Sequence, residues 1–203
     1  GIDDVALNEF KARFRSRSDF VSPLPTAYKR LVDNQNLQIG SHQWTVIVGE
    51  GHSPEHVCLL CKSLNIMIAG DQILPRISPN ISVRPNEPDA NPLQDWLRSC
   101  EYFKNKLDED VLILPSHGDP FYGAHLRLQE MIDEHKVGLK KLYDFCSESR
   151  SVTDVFPVLF KSKINSGNMV IGVGEALAHL NHLVASEDLK LDTTSGIARY
   201  KQT

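Results

Sequence analysis

Short extended apolar runs occupy the middle of the chain, and helical spacing takes over toward its end. Residues 43–48 include Trp44, Thr45, Val46, Ile47 and Val48, a β-branched and aromatic set that predicts a strand. Two further runs, 57–62 and 66–69, are separated by a short polar turn at 63–65. Paired as antiparallel neighbours of similar length, they return the chain to the sheet edge it left. Leu93, Trp96, Leu97, Tyr102, Phe103 and Leu107 recur at helical spacing and predict an amphipathic helix over 93–107, which carries the chain across the sheet to a strand at 111–114. Between these elements Pro75, Pro79, Pro85, Pro88 and Pro92 preclude a long helix or a central strand over 74–92.

The two ends read differently. Ile2, Val5, Ala6, Leu7, Phe10 and Phe14 predict a helix over 2–17 with Asp3 and Asp4 in its first turn. Lys11, Arg13, Arg15 and Arg17 read as a solvated face complementing the helix C-terminus, with an anion-binding rim as the sharper alternative. Residues 22–25 break the chain, and Thr26 is placed to cap a short helix through Leu31. After residue 122 the spacing is helical over 123–148, with Leu128, Met131, Leu139 and Leu142 among its apolar positions. Ser151 can cap a helix over 152–161, in which Pro157 forces a kink or an early end. A third helix is expected over 169–186, then a hairpin of 190–192 and 197–200. Three helices followed by a hairpin describe a winged helix.

Composition narrows the function classes. The 203 residues are 41 % hydrophobic and 24 % charged, ordinary globular material with a net charge of −4. That balance offers no general attraction to nucleic acid or an anionic membrane. No apolar run approaches the roughly 20 residues that span a bilayer, and the charged start is unlike a secretory signal, so a cytoplasmic location is the default expectation. The third helix of the tail carries no Lys or Arg between Met169 and Leu189 but includes Glu175, Glu187 and Asp188, which argues against a helix that neutralises DNA phosphates. Of the four cysteines, Cys58, Cys61, Cys100 and Cys146, the first two form a C-x-x-C that can read as a zinc or redox pair, but inside a predicted strand residues three apart point to opposite faces, so small, buried, reduced side chains are the favoured reading. Glu175, His179 and His182 share a helical face and could hold a metal, although packing is the ordinary role of such histidines.

The candidate chemistry sits at the ends of the central strands. His52 precedes the first run of the predicted hairpin, Asp71 follows the second, and His117 follows the strand at 111–114. Strand ends in layered α/β folds are where ligands gather, on loops free to aim polar groups at one spot. Two imidazoles and a carboxylate suit Zn²⁺, and also iron or manganese. Arg76 and Arg84, on the proline-rich loop after Asp71, are placed to line a pocket and to meet an acidic substrate group.

In these motifs, over roughly residues 40–122, the chain resembles the metallo-β-lactamase fold hydrolases. Gly51-His52-Ser53-Pro54-Glu55-His56 resembles the family's third metal motif, Gly70-Asp71 its fourth and Ser116-His117-Gly118 its fifth. The resemblance implies two divalent metals, with His52 on the first, His117 on the second, and Asp71, the catalytic carboxylate, bridging both. His56 is implied as a neighbour of the metals or a pocket wall. The family's His-x-His-x-Asp-His run is absent from these residues, so the ligand set is incomplete and the chain is expected to be a fragment that is inactive alone. The fold class expected is α/β (α+β): residues 1–122 as the C-terminal half of an αββα sandwich and 123–203 as a winged-helix-like tail. Such tails pack against the catalytic domain or a second subunit, which leaves a homodimer open. The implied activity is hydrolysis of a small molecule by a metal-held hydroxide, with a thioester favoured over a lactone or a polynucleotide because the chain has no basic track. The alternative outside enzymes is a nucleic-acid-binding winged helix or a non-catalytic assembly module.

Overall fold

The structure is a computed structural model that describes Val5, Asn8, residues 25–165 and residues 167–203. Apart from Val5 and Asn8, the helix expected over 2–17, with Lys11, Arg13, Arg15 and Arg17, lies outside the described residues, as does the break at 22–24.

Five strands form the main sheet in the order in which they occur: β1 (Asn36–Ile39), β2 (His42–Gly49), β3 (His56–Cys61), β4 (Ile66–Gly70) and β5 (Leu112–Pro115). The first four are antiparallel neighbours, whereas β5 runs parallel to β4. The change of sense follows from the connections. Short turns join β1 to β4, but a parallel neighbour needs a crossover, and α1 (Pro92–Lys106) supplies it. Asn91 caps α1 by accepting from the Gln94 N–H at 3.2 Å, Pro92 stands where no N–H is needed, and Lys104 and Lys106 face the negative end of the helix dipole.

Alternation along the strands decides which face packs. Ile47, Cys58, Leu60, Met67 and Ile113 are buried with Leu93, Trp96, Cys100 and Phe103 of α1. One residue along, Ile68 is 43 % exposed where Met67 is fully buried, and Val57, Leu59 and Leu114 share its half-covered face. The core continues into α2 (Ala124–Phe145) through Leu128, Met131 and Leu142 and into α4 (Met169–Ala185) through Ala176, Leu180 and Leu183. A short α3 (Phe156–Leu159) lies between them, and β6 (Leu189–Asp192) pairs antiparallel with β7 (Arg199–Gln202).

Three expectations are corrected. No helix forms over 26–31, and Thr26 caps nothing. That segment has no buried face to hold it, with Tyr28 86 % exposed, and so short a helix does not persist without packing. The helix expected over 152–161 shrinks to α3, with Pro157 in its first turn rather than its interior. Ser151 does not act as its cap; instead the Asp154 carboxylate accepts from the Ser151 N–H at 2.7 Å and its hydroxyl at 2.9 Å. Beyond these, β1 carries no pattern that marks it in the sequence: its polar Asn36 and Gln38 hide a strand that β2 recruits as an edge.

Candidate functional site

The C-terminal ends of β2, β4 and β5 release loops that carry His52, Asp71 and His117 to one rim of the sheet. His52 Nε2 lies 3.4 Å from Asp71 Oδ2, and His117 Nε2 lies 3.5 Å from Asp71 Oδ1. The two imidazoles therefore address opposite oxygens of one carboxylate. Glycines make the approach feasible. Gly51 has φ +99°, and a Cβ there would lie 2.5 Å from Trp96 Cβ and 2.7 Å from the Pro92 carbonyl oxygen, so the His52 loop can lie flat on the start of α1. Gly70 has φ +55°, and its missing Cβ leaves room for the His56 ring, 2.6 Å from where that atom would be.

Hydrogen bonds fix which nitrogen carries a proton in the His52 and His56 rings. The Asn80 carbonyl can only accept, so His52 Nδ1, 2.7 Å away, donates to it and carries the ring proton. In the neutral imidazole Nε2 then presents a lone pair toward a carboxylate oxygen, a pairing that a cation between them would satisfy. The Asp71 backbone N–H donates to His56 Nε2 at 3.2 Å, which occupies that nitrogen and leaves the His56 proton on Nδ1, 3.6 Å from Cys58 Sγ. Burial holds the His56 imidazole below its usual pKa, helped by His52 and partly opposed by Asp71. The Ser116 hydroxyl donates to Asp71 Oδ1, and the Ser116 N–H donates to the Gly70 carbonyl at 3.0 Å, tying the β4 and β5 loops together.

These separations fit a metal. A tetrahedral ion with bonds of roughly 2.0–2.2 Å holds two N or O ligands about 3.4 Å apart, the spacing seen on each side of Asp71. Among the described residues no group of three or more His, Cys, Asp or Glu side chains could hold a metal ion by itself. The arrangement is instead two pairs sharing Asp71, each able to supply two of the four ligands that such an ion takes.

The remaining candidates separate. Arg84 is exposed and lines a cavity of about 240 Å³ beside the His52 loop, together with Glu50, Ser53, Ser82, Glu87 and Asp95; Arg76 is exposed. Glu175, His179 and His182 do not form a second metal site among the described residues. His179 Nδ1 donates to the Glu175 carbonyl at 2.9 Å, and its Nε2 accepts from His135 Nδ1 at 3.2 Å, so both nitrogens are used. Cys58 and Cys61 are free and buried, the Cys58 thiol donating to the Ala69 carbonyl at 3.3 Å; burial pushes Cys58 up and Cys100 up to about 12. Two contributors escaped the sequence reading. Ser116 was visible only as the residue before His117, and Asn80 sits in the proline-rich loop with no pattern to mark it.

Comparison with known proteins shows what the chain is similar to. Residues 139–203 match the family model described as Metallo-beta-lactamase-like, C-terminal domain. A beta-lactamase domain protein from Burkholderia ambifaria superposes with a TM-score of 0.92 at 35 % identity, covering 100 % of this chain and 58 % of its own. A metallo-beta-lactamase family protein from Thermus thermophilus superposes with a TM-score of 0.77 at 21 % identity over 96 % of this chain and 64 % of its own. The probable metallo-hydrolase YqjP of Bacillus subtilis (strain 168) is 24 % identical over 156 residues, which make up 73 % of this chain and 47 % of that protein. The α/β fold is thus that of metallo-β-lactamase structures, and the chain spans between about half and two thirds of the length of these relatives.

Proposed function

We propose that this chain provides one half of a two-metal hydrolase centre, in which His52 and His117 each hold one divalent ion and Asp71 bridges them. The observation that carries the reading is the pair of imidazole nitrogens set 3.4 and 3.5 Å from opposite oxygens of one carboxylate, with the proton of His52 committed elsewhere. The name metallo-hydrolase given to the Bacillus subtilis relative agrees with it. Zinc suits the donor set, and iron or manganese are the alternatives that the metal analysis below distinguishes. When bound, such a pair of ions lowers the pKa of water toward neutrality and polarises a carbonyl or phosphoryl oxygen.

The chain's own residues do the orienting. Asn80 fixes the His52 ring through Nδ1 so that Nε2 faces Asp71, and Ser116 holds one Asp71 oxygen in place. His56 holds the Asp71 backbone from beneath and serves as support rather than as a ligand. His117, 67 % exposed at its side chain, stands at the solvent edge, where substrate arrives. Arg84 and Arg76 are read as pocket residues, Arg84 with a cavity wall to support the role.

The substrate class we infer is a small thioester of the hydroxyacylglutathione type, acting in the cytoplasm. A net charge of −4 and a tail helix without a single Lys or Arg from Met169 to Ala185 support a small molecule over a polynucleotide. Among the described residues no helix is long and apolar enough to cross a membrane. Residues 123–203 are read as a winged-helix-like tail that braces the catalytic part formed by residues 1–122, and a homodimer through that tail remains part of the proposal. The test is metal analysis of the protein together with a panel of thioester, lactone and phosphodiester substrates. With the half that carries the His-x-His-x-Asp-His run supplied, stoichiometric divalent metal and turnover greatest on thioesters are expected, and the chain alone is expected to turn over none of these substrates; absence of bound metal in the completed centre, turnover greatest on phosphodiesters, or robust turnover by the chain alone would overturn the reading.

A further inference from the structure

The loop after Asp71 is fastened to α4 at three places. The Val83 N–H donates to the Gly174 carbonyl at 3.0 Å, the Asn181 amide donates to the Pro88 and Ala90 carbonyls at 2.9 Å each, and the Asn80 amide donates to Glu175 Oε2 at 2.8 Å. Two of these are backbone tethers that any docked loop could use. The third differs, because Asn80 is also the residue whose carbonyl takes the His52 proton. Its amide has both ends occupied, with the Ser82 hydroxyl donating to Oδ1 and Nδ2 bound to Glu175. A small residue on the helix permits the close contact. A Cβ at Gly174 would lie 2.8 Å from both Ser82 Cβ and Ser82 Oγ, so only glycine lets the loop reach the Glu175 turn.

We propose that Glu175 is a positioning residue for His52: through the Asn80 amide it sets the carbonyl that holds the imidazole as its Nδ1–H tautomer, with Nε2 free to bind. This assignment rests on the two-metal reading for its consequence, but the tautomer itself exists without metal. It also explains why a carboxylate tolerates the partly buried face of α4, where desolvation raises its pKa and the Asn80 hydrogen bond opposes the shift. The C-terminal helical segment is thereby wired to the site by one side chain, and its removal loosens a ligand it never touches. Outer partners of metal-bound histidines commonly act in this way.

The experiment uses the full chain, metal-free, with ¹⁵N-labelled imidazoles. In the parent and in Glu175→Gln, whose amide oxygen still accepts from Asn80, His52 is expected as the Nδ1–H tautomer with a slowly exchanging ring proton. In Glu175→Ala a mixture of tautomers and exchange faster by about 10-fold is expected, and zinc affinity measured by chelator competition falls by about 10-fold. Asn181→Ala breaks a neighbouring tether without touching Asn80 and should change neither. Should Glu175→Ala fail to fold, Asn80→Ala carries the same test, since it keeps the carbonyl and deletes the amide. An unchanged His52 tautomer in the Ala variants, or an equal effect from Asn181→Ala, overturns the proposal. Failure of the two-metal reading looks different: His52→Ala would leave zinc affinity unchanged while the tautomer shift in Glu175→Ala persisted.

Discussion

The molecule holds two histidine groups of opposite character. At the sheet rim, His52 and His117 flank Asp71, and the His52 and Asp71 side chains are 28 % and 29 % exposed. In the helical segment, His135 and His179 lie 5.3 Å apart ring to ring and are only 7 % and 4 % exposed, with His182 nearby and, among the described residues, no carboxylate side chain bonded to either ring. Both groups contain hydrogen-bonded imidazoles, yet on the proposed reading the first receives a cation and the second does not. The deciding feature is what faces the unprotonated nitrogen. At the rim it is a carboxylate oxygen; in the helices it is another imidazole, or, at His135 Nε2, a buried position without any hydrogen-bond partner among the described residues. Burial pushes His135 down to about 3 and lowers His179 and His182, each further depressed by a neighbouring imidazole except His182, which Asp188 partly rescues.

The comparison breaks most visibly at Asp71. Asp71→Ala removes the carboxylate common to both rim pairs and should cost at least about 1000-fold in divalent-metal affinity, about 4 kcal/mol; the same change at Asp144, an exposed partner of Lys140, should leave metal content untouched. Elemental analysis after dialysis against a weak chelator reads both.

The helical group should reveal itself by acid rather than by metal. A histidine whose folded pKa lies below its unfolded value of about 6.5 takes up its proton more readily when unfolded, so its stabilising effect is complete above pH 6.5 and lost as pH falls toward 3. Denaturant midpoints recorded from pH 7.5 to 4 should therefore fall, by on the order of 3 kcal/mol in unfolding free energy. His135→Leu should flatten that slope, and an unchanged slope would show that these rings do not control it.

A smaller change sharpens the comparison from the backbone side. Gly51→Ala forces a Cβ against Trp96 and Pro92 and demands a positive φ, so the His52 loop must shift. A loss of about 2 kcal/mol in stability is expected together with weaker metal binding. Gly123 also has a positive φ, but among the described residues nothing lies within 4 Å of an added Cβ, so Gly123→Ala should cost less than half as much and spare the metal. Smallest of all, Lys140→Ala on the exposed face of α2 should move the melting temperature by less than about 1 °C, as expected for an exposed ion pair.

Much of this arrangement could be read from the chain. The runs at 57–62 and 66–69, the helix at 93–107 and the strand at 111–114 are specified by local alternation and spacing, which follow from strand and helix geometry alone. Their connections then bring the loops bearing His52, Asp71 and His117 to one rim, so that convergence is legible in the sequence. Segments with weak local signals were not: β1 is polar and forms because β2 offers it an edge, while residues 26–31 look helical but have nothing to pack against. The chemistry within each ring lay further out of reach. Nothing in the order of residues tells that the Asn80 carbonyl takes the His52 proton, that His56 Nε2 is consumed by the Asp71 N–H, or that Glu175, 95 positions from Asn80, grips its amide. Periodicity is a short-range property of the backbone and survives in the sequence; tautomers and burial depend on which distant groups meet, and only the folded chain decides that.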